Sequence, residues 1–265
     1  MKPLVAAAFV ALAVTSCATA PDRPAKSDVS AATTIAVVSM AADYARLGLV
    51  GKTVFGNEHY YAPLDKWGLD DQIEDEIMAS AQGLGPKLIR ASYDRSALFR
   101  AYNTRDLEAP IMQRPLAFKS DLELIRGDLT SIAQKAGADR LLIVAKAVCS
   151  DAIGATNQPL NGFGIYFGRI KPPSAIFSGP GAWRTGARAY LCADVVLYDP
   201  GKGETLASRR VSAPGQTLPN NVVSGFTKSL SDIPEAWRNE ILTAFKLLAS
   251  YVGTSTREFL TPASS

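Results

Sequence analysis

Residues 120–149, SDLELIRGDLTSIAQKAGADRLLIVAKAVC, leave little freedom in how this chain can fold. Leu122, Ile125, Leu129, Ile132, Ala133 and Ala136 recur at three- and four-residue intervals, which places them on one stripe of a helix. Ser120 and Glu123 have the spacing of a capping box, and Gly137 supplies the residue type that commonly ends a helix in the left-handed conformation. Almost at once a run of Leu, Ile, Val and Ala follows, with no alternating polar positions. Unbroken apolar runs of this kind are strands covered on both faces. A helix feeding directly into such a strand predicts an α/β fold.

The rest of the chain fits that class. TIAVVSM at 34–40 is a second fully buried strand, and RLGLVGKTVFGNE at 46–58, divided by Gly48, Gly51 and Gly56, reads as a hairpin. A helix is expected from near Asp70, where Ile73, Ile77, Met78 and Ala81 share a face and Gly83 can stop it. KLIRAS at 87–92 is the next strand. Residues 188–213 read as two strands joined at Asp199-Pro200-Gly201, and Trp237, Ile241, Phe245, Leu248 and Val252 mark a closing helix. Between them, residues 150–186 hold Pro159, Pro172, Pro173 and Pro180 with seven glycines, and are expected to be a long irregular insertion. The expected architecture is a single mixed β-sheet flanked by helices, spanning 34–260.

The amino terminus carries a different message. Lys2 precedes an uncharged apolar run at 4–14, far shorter than the roughly 20 residues that span a bilayer, so the segment reads as a signal peptide. Val14-Thr15-Ser16-Cys17 resembles the bacterial lipobox. That resemblance implies cleavage after residue 16, acylation of Cys17 and attachment to a membrane through its acyl chains. Ala18, rather than Asp, implies the periplasmic face of the outer membrane. The alternative is an ordinary secreted protein cut near Ala18–Ala20, with Cys17 lost. Residues 17–33, small, polar and interrupted by Pro21 and Pro24, read as a tether that does not fold.

Ile35 to Val37, Gly137 to Asp139 and the turn from Asp199 to Glu204 carry a second likeness. Over residues 34–212 the order of elements resembles the periplasmic α/β domain shared by the curli-secretion lipoprotein CsgG and the amino-terminal domain of TolB. The resemblance implies a mixed sheet with flanking helices and marks fold more than chemistry. A secretion channel of the CsgG kind would need paired amphipathic strands of about 9–11 residues, and the prolines of 150–186 argue against them.

Catalytic chemistry is sparse. The single histidine, His59, sits in GNEHYYAP and reads as a solvent-facing turn residue, and no His/Cys spacing suits zinc. No cofactor is expected. A net charge of +3, without a clustered Lys/Arg run, gives no reason to expect nucleic acid. Asp70, Asp71, Glu74, Asp75 and Glu76 could serve an envelope hydrolase as paired carboxylates, but acids in a first helical turn also simply complement the helix dipole. Phe163, Tyr166, Phe167 and Arg169 in NGFGIYFGRI form either a partner-binding surface or part of the core. Cys149 and Cys192 form either a disulfide or two buried thiols. The expected function is that of a non-enzymatic lipoprotein acting through contacts with an envelope protein, with a CsgG-like oligomer and the hydrolase as alternatives.

Overall fold

The structure, a computed structural model, describes residues 22–30, 32–49, 58–108, 122–149, 160–170, 184–219 and 235–261. Among the described residues there are nine strands, β1 (Thr34–Met40), β2 (Tyr44–Leu49), β3 (Glu58–Pro63), β4 (Lys87–Arg90), β5 (Arg140–Lys146), β6 (Val148–Cys149), β7 (Leu160–Ile170), β8 (Arg184–Asp199) and β9 (Glu204–Thr217). The α-helices among the described residues are α1 (Lys26–Ser30), α2 (Leu69–Ser80), α3 (Arg95–Glu108), α4 (Arg126–Ala136) and α5 (Glu235–Leu260). The strands form one mixed sheet in the order β3-β2-β7-β8-β5-β1-β4, with β9 beside β8 and β6 beside β7.

The sheet forks along β8. From Arg184 to Cys192 this strand pairs antiparallel with β7, and from Ala193 to Tyr198 it pairs with β5, while β9 runs along its other edge. The branch beyond β5 contains the parallel neighbours β1 and β4. The branch beyond β7 contains an antiparallel pair, β2 and β3, whose second strand lies at Glu58–Pro63, after the glycine-split segment 46–58 in which the whole hairpin was expected. His59 therefore stands in strand β3, opposite Gly48, and not in a turn.

Alternation along β1 and β5 explains their unbroken apolar runs. Ile35, Val37, Leu142 and Val144 face a core that α2 and α5 cover, whereas Ala36, Val38, Leu141 and Ile143 face a second core with residues of α3 and α4. Helix α5 contributes Ile241, Phe245, Leu248 and Val252, all fully buried, at the helical spacing read from the sequence. It crosses α2 closely at Gly253, where a Cβ would come within 2.8 Å of the Glu76 carbonyl oxygen. The Ser80 hydroxyl donates to the Gly253 carbonyl at 2.8 Å in the same contact.

Three further expectations are corrected, and one helix, α3, was not expected. The helix before β5 starts at Arg126, after a 3₁₀ turn at Leu122–Ile125, and no side chain caps it; Ser120 lies outside the described residues. Its end is as expected, with Gly137 at φ 61°. The sequence of helix α3 has no strong apolar stripe, and Leu98 and Phe99 are the buried side chains among those described on it, which is why periodicity did not reveal it.

The segment 150–186 is not irregular throughout. Residues 160–170 form β7, paired with β8 in a sheet position buried on both faces, and Pro172, Pro173 and Pro180 fall outside the strand. The tether is also shorter than expected. Pro24 is buried, α1 is folded, and Val29 and Ala32 join the core, so packing holds a segment whose own composition is too polar to fold alone.

Candidate functional site

Parallel strands leave their carboxyl ends open for side chains brought in by neighbouring helices, and ligands of α/β sheets bind there. In this protein the carboxyl end of β1 carries Ser39, whose surroundings are strongly polar for a core position. Its hydroxyl donates to Asp70 Oδ1 at 2.6 Å, and the Ala41 N–H donates to the same oxygen at 3.0 Å. The Ser39 N–H reaches Glu74 Oε1 and the Tyr93 hydroxyl oxygen, each at 3.0 Å. The Tyr93 hydroxyl also lies 2.7 Å from Glu74 Oε1 and 2.8 Å from the Ser39 carbonyl oxygen, and can donate to either.

Two guanidinium groups close the network from outside. Arg95 Nη2 stands 3.1 Å from Glu74 Oε1 and 3.1 Å from Asp71 Oδ1, and Arg90 Nε stands 3.3 Å from Glu74 Oε2. Arg90 also pairs with Asp75. Asp70 and Glu74, one helical turn apart on α2, therefore face inward, while Asp71 and Asp75 take the solvent side. Carboxylates this well buried require donors of this kind, since an unpaired ionised group in a core is strongly unfavourable.

Burial pushes the Asp70 carboxyl up to about 7, against the opposing effects of the Ser39 and Ala41 hydrogen bonds. Tyr93 is also pushed up, first by burial and then by the Glu74 charge. The native state holds the Asp70 proton up to near pH 7, whereas the unfolded chain releases it near 3.8, so this group's contribution is greatest at low pH and declines between about pH 4 and 7. Asp70→Asn retains an oxygen to accept from Ser39 and Ala41 and removes that decline. Between pH 5 and 8 the wild type is expected to lose on the order of 2 kcal/mol relative to the variant. Urea unfolding of both proteins at the two pH values measures this, and parallel behaviour would show that Asp70 is not held protonated.

A second buried charge lies at the fork. Lys146 donates to Asp43 Oδ2 at 2.8 Å, and its ammonium stands 3.7 Å from the centre of the Tyr44 ring. Asp43 raises the Asp70 pKa in turn, which links the two clusters across the β1–β2 junction. None of Ser39, Tyr93, Arg95 or Lys146 stood out in the sequence. Only the charged residue in the apolar run of β5, Lys146, left a signal that could have been followed.

Neither of the two clefts found among the described residues is lined by Asp70 or Glu74. A cleft of about 150 Å3 between α3 and α4 is lined by Ser92, Tyr93, Asp94, Asp128 and Lys135, but by neither Asp70 nor Glu74. Among the described residues, no group of three His, Cys, Asp or Glu side chains is arranged to hold a metal ion.

The other residues singled out by sequence divide cleanly. Phe163, Tyr166 and Phe167 are buried, so the expected aromatic contact surface is corrected: Phe163 and Phe167 pack in the α2/α5 core and Tyr166 in a small cluster on the opposite face of β7. Arg169 belongs to β7 and pairs through its backbone with Thr185. Cys149 and Cys192 are joined by a disulfide, with their Cα atoms 5.8 Å apart, and share a cluster with Leu160, Tyr166 and Tyr190. Tyr190 lies across Gly164, whose Cβ would fall 2.2 Å from the Tyr190 ring, so β7 needs glycine there. Cys17 lies outside the described residues.

No protein-family model matches the chain, and no curated protein matches it. Among solved structures, it is similar to a protein from Helicobacter pylori described as a neuraminyllactose-binding hemagglutinin homolog. That match has 7% identity and a TM-score of 0.34, and covers 91% of this chain and 88% of the other. It is also similar to a Xanthomonas campestris protein of family DUF330, with 11% identity and a TM-score of 0.29, over 85% of this chain and 81% of the other.

Proposed function

We propose that this chain is a lipoprotein anchored through Cys17 at the periplasmic face of the outer membrane, and that it acts without catalysis, through contacts with an envelope protein. The observation that carries this reading is the Cys149–Cys192 disulfide at the fork of the sheet. Bonds of this type persist in oxidising compartments such as the periplasm, in agreement with an exported chain and with the lipobox resemblance of residues 14–17.

The acid network supports a binding role over a hydrolytic one. A glycosidase-type pair needs two carboxyl groups facing a shared substrate space. Asp70 and Glu74 instead accept hydrogen bonds from Ser39, Ala41 and Arg95 within the fold. Their work is to hold α2, β1 and the Tyr93–Arg95 segment in register.

Cell fractionation and mass analysis test the anchor. Wild-type protein is expected to carry the added acyl mass at Cys17 and to partition with membranes, and Cys17→Ser to lose that mass and appear in the soluble periplasmic fraction. An unmodified wild-type terminus, or a Cys17→Ser chain still held by membranes, would overturn the reading. Crosslinking in intact cells then identifies the protein partner.

A further inference from the structure

The chain crosses the fork of the sheet at Ala147. Up to Lys146 it belongs to β5 and pairs with β8, and from Val148 it belongs to β6 and pairs with β7. The Ala147 N–H donates to the Cys192 carbonyl at 3.1 Å, and the Ala147 carbonyl accepts from the Gly162 N–H at 3.2 Å. Strand β6 has two residues, Val148 and Cys149, opposite Asn161 and Leu160. Strands ordinarily run to about five or six residues, so this ladder alone fixes Cys149 weakly. A disulfide to β8 nevertheless demands a narrow placement of both cysteines.

Arg210 supplies a further hold. It stands on β9 opposite Asp194 of β8, and its Nε and Nη2 donate to Asp194 Oδ1 and Oδ2 at 2.8 and 2.9 Å. Its Nη1 donates to the Val148 carbonyl oxygen at 2.8 Å. Asp194 is buried, and among the described residues Arg210 is the cation that pairs with it. The two-pronged contact fixes the plane of the guanidinium and so the direction of its third arm. One side chain therefore ties Val148, the neighbour of Cys149, to Asp194, two residues beyond Cys192.

We propose that Arg210 is the positioning residue for the Cys149–Cys192 bond, holding β6 against β8 while the pair is still a dithiol and so favouring its closure by a disulfide oxidant. One cysteine thiolate attacks a sulfur of the oxidant and expels a thiolate. The second attacks the resulting mixed disulfide, closes the Sγ–Sγ bond and expels the other thiolate, so the pair loses two electrons and the oxidant gains them. Both cysteines are buried in the closed fold, so exchange passes through an opened chain. Arg210 therefore sets the equilibrium rather than the attack: order that it imposes on β6 is order that the covalent bond need not impose, which raises the effective concentration of one sulfur at the other.

Equilibration of the full chain in buffers of graded reduced-to-oxidised glutathione ratio, followed by acid quench, alkylation and mass analysis, tests this, with circular dichroism confirming that each variant is folded. Arg210→Ala is expected to need a several-fold more oxidising buffer for half oxidation than the wild type. Arg210→Lys keeps a charge for Asp194 but has no fork to aim a second donor at Val148, and should fall between the two. Leu129→Ala weakens the core on the other face of β5 without touching the fork, and should keep the wild-type ratio. An unchanged ratio in Arg210→Ala, or an equal fall in Leu129→Ala, overturns the proposal. If the unpaired Asp194 keeps Arg210→Ala from folding, Arg210→Gln combined with Asp194→Asn removes both charges and takes its place, with the same expected fall.

Discussion

Phe163→Ala is expected to lower folding stability by about 3–5 kcal/mol, the range for deleting a fully buried phenylalanine. The ring is completely enclosed, and its centre lies 5.0 Å from that of Phe245 on α5 in an edge-to-face contact. Removing it opens a cavity between β7 and the closing helix, where the backbone of a central strand cannot collapse inward. Denaturant unfolding measures the effect. A variant of unchanged stability that had lost capture of its partner would restore the contact surface expected from sequence.

The second large effect concerns the disulfide. Cys149 and Cys192 are 43 residues apart, and replacing both with alanine releases a loop of that length in the unfolded chain. Loop entropy sets the loss at about 4 kcal/mol, and native disulfides of this kind commonly contribute 2–4 kcal/mol. The bond joins β6 to β8 where the latter changes partner from β7 to β5, so its loss also removes a covalent tie at the fork of the sheet. Thermal unfolding of wild type with and without reductant, beside the double variant, measures this. Equal midpoints would mean that hydrogen bonding across the fork suffices.

Much of the fold was legible because its signals are local. The buried runs of β1 and β5, the apolar face of α5 and the Gly137 stop all lie within short windows that periodicity can read. Prolines on either side of β7 hid a strand whose pairing with β8 comes from elsewhere in the chain. The short helix α1 was hidden for a related reason. Its sequence KSDVS is too polar to predict packing, and Val29 and Ala32 become core residues only because the α2/α5 layer is there to receive them.

The candidate site was less legible. Asp70, Asp71, Glu74, Asp75 and Glu76 look alike in a sequence, and all suit the start of a helix. Packing alone decides that Asp70 and Glu74 meet Ser39, Tyr93 and Arg95 in the interior while Asp71 and Asp75 meet solvent. By itself the sequence determined the alternation of helices and buried strands and the lipobox-like segment at Cys17, because spacing within one segment carries that information. The tertiary structure decided which acids are buried, that Phe163 belongs to the core, and that Cys149 meets Cys192. Those outcomes depend on groups distant in the chain, and a polar or aromatic side chain has no fixed environment until they arrive.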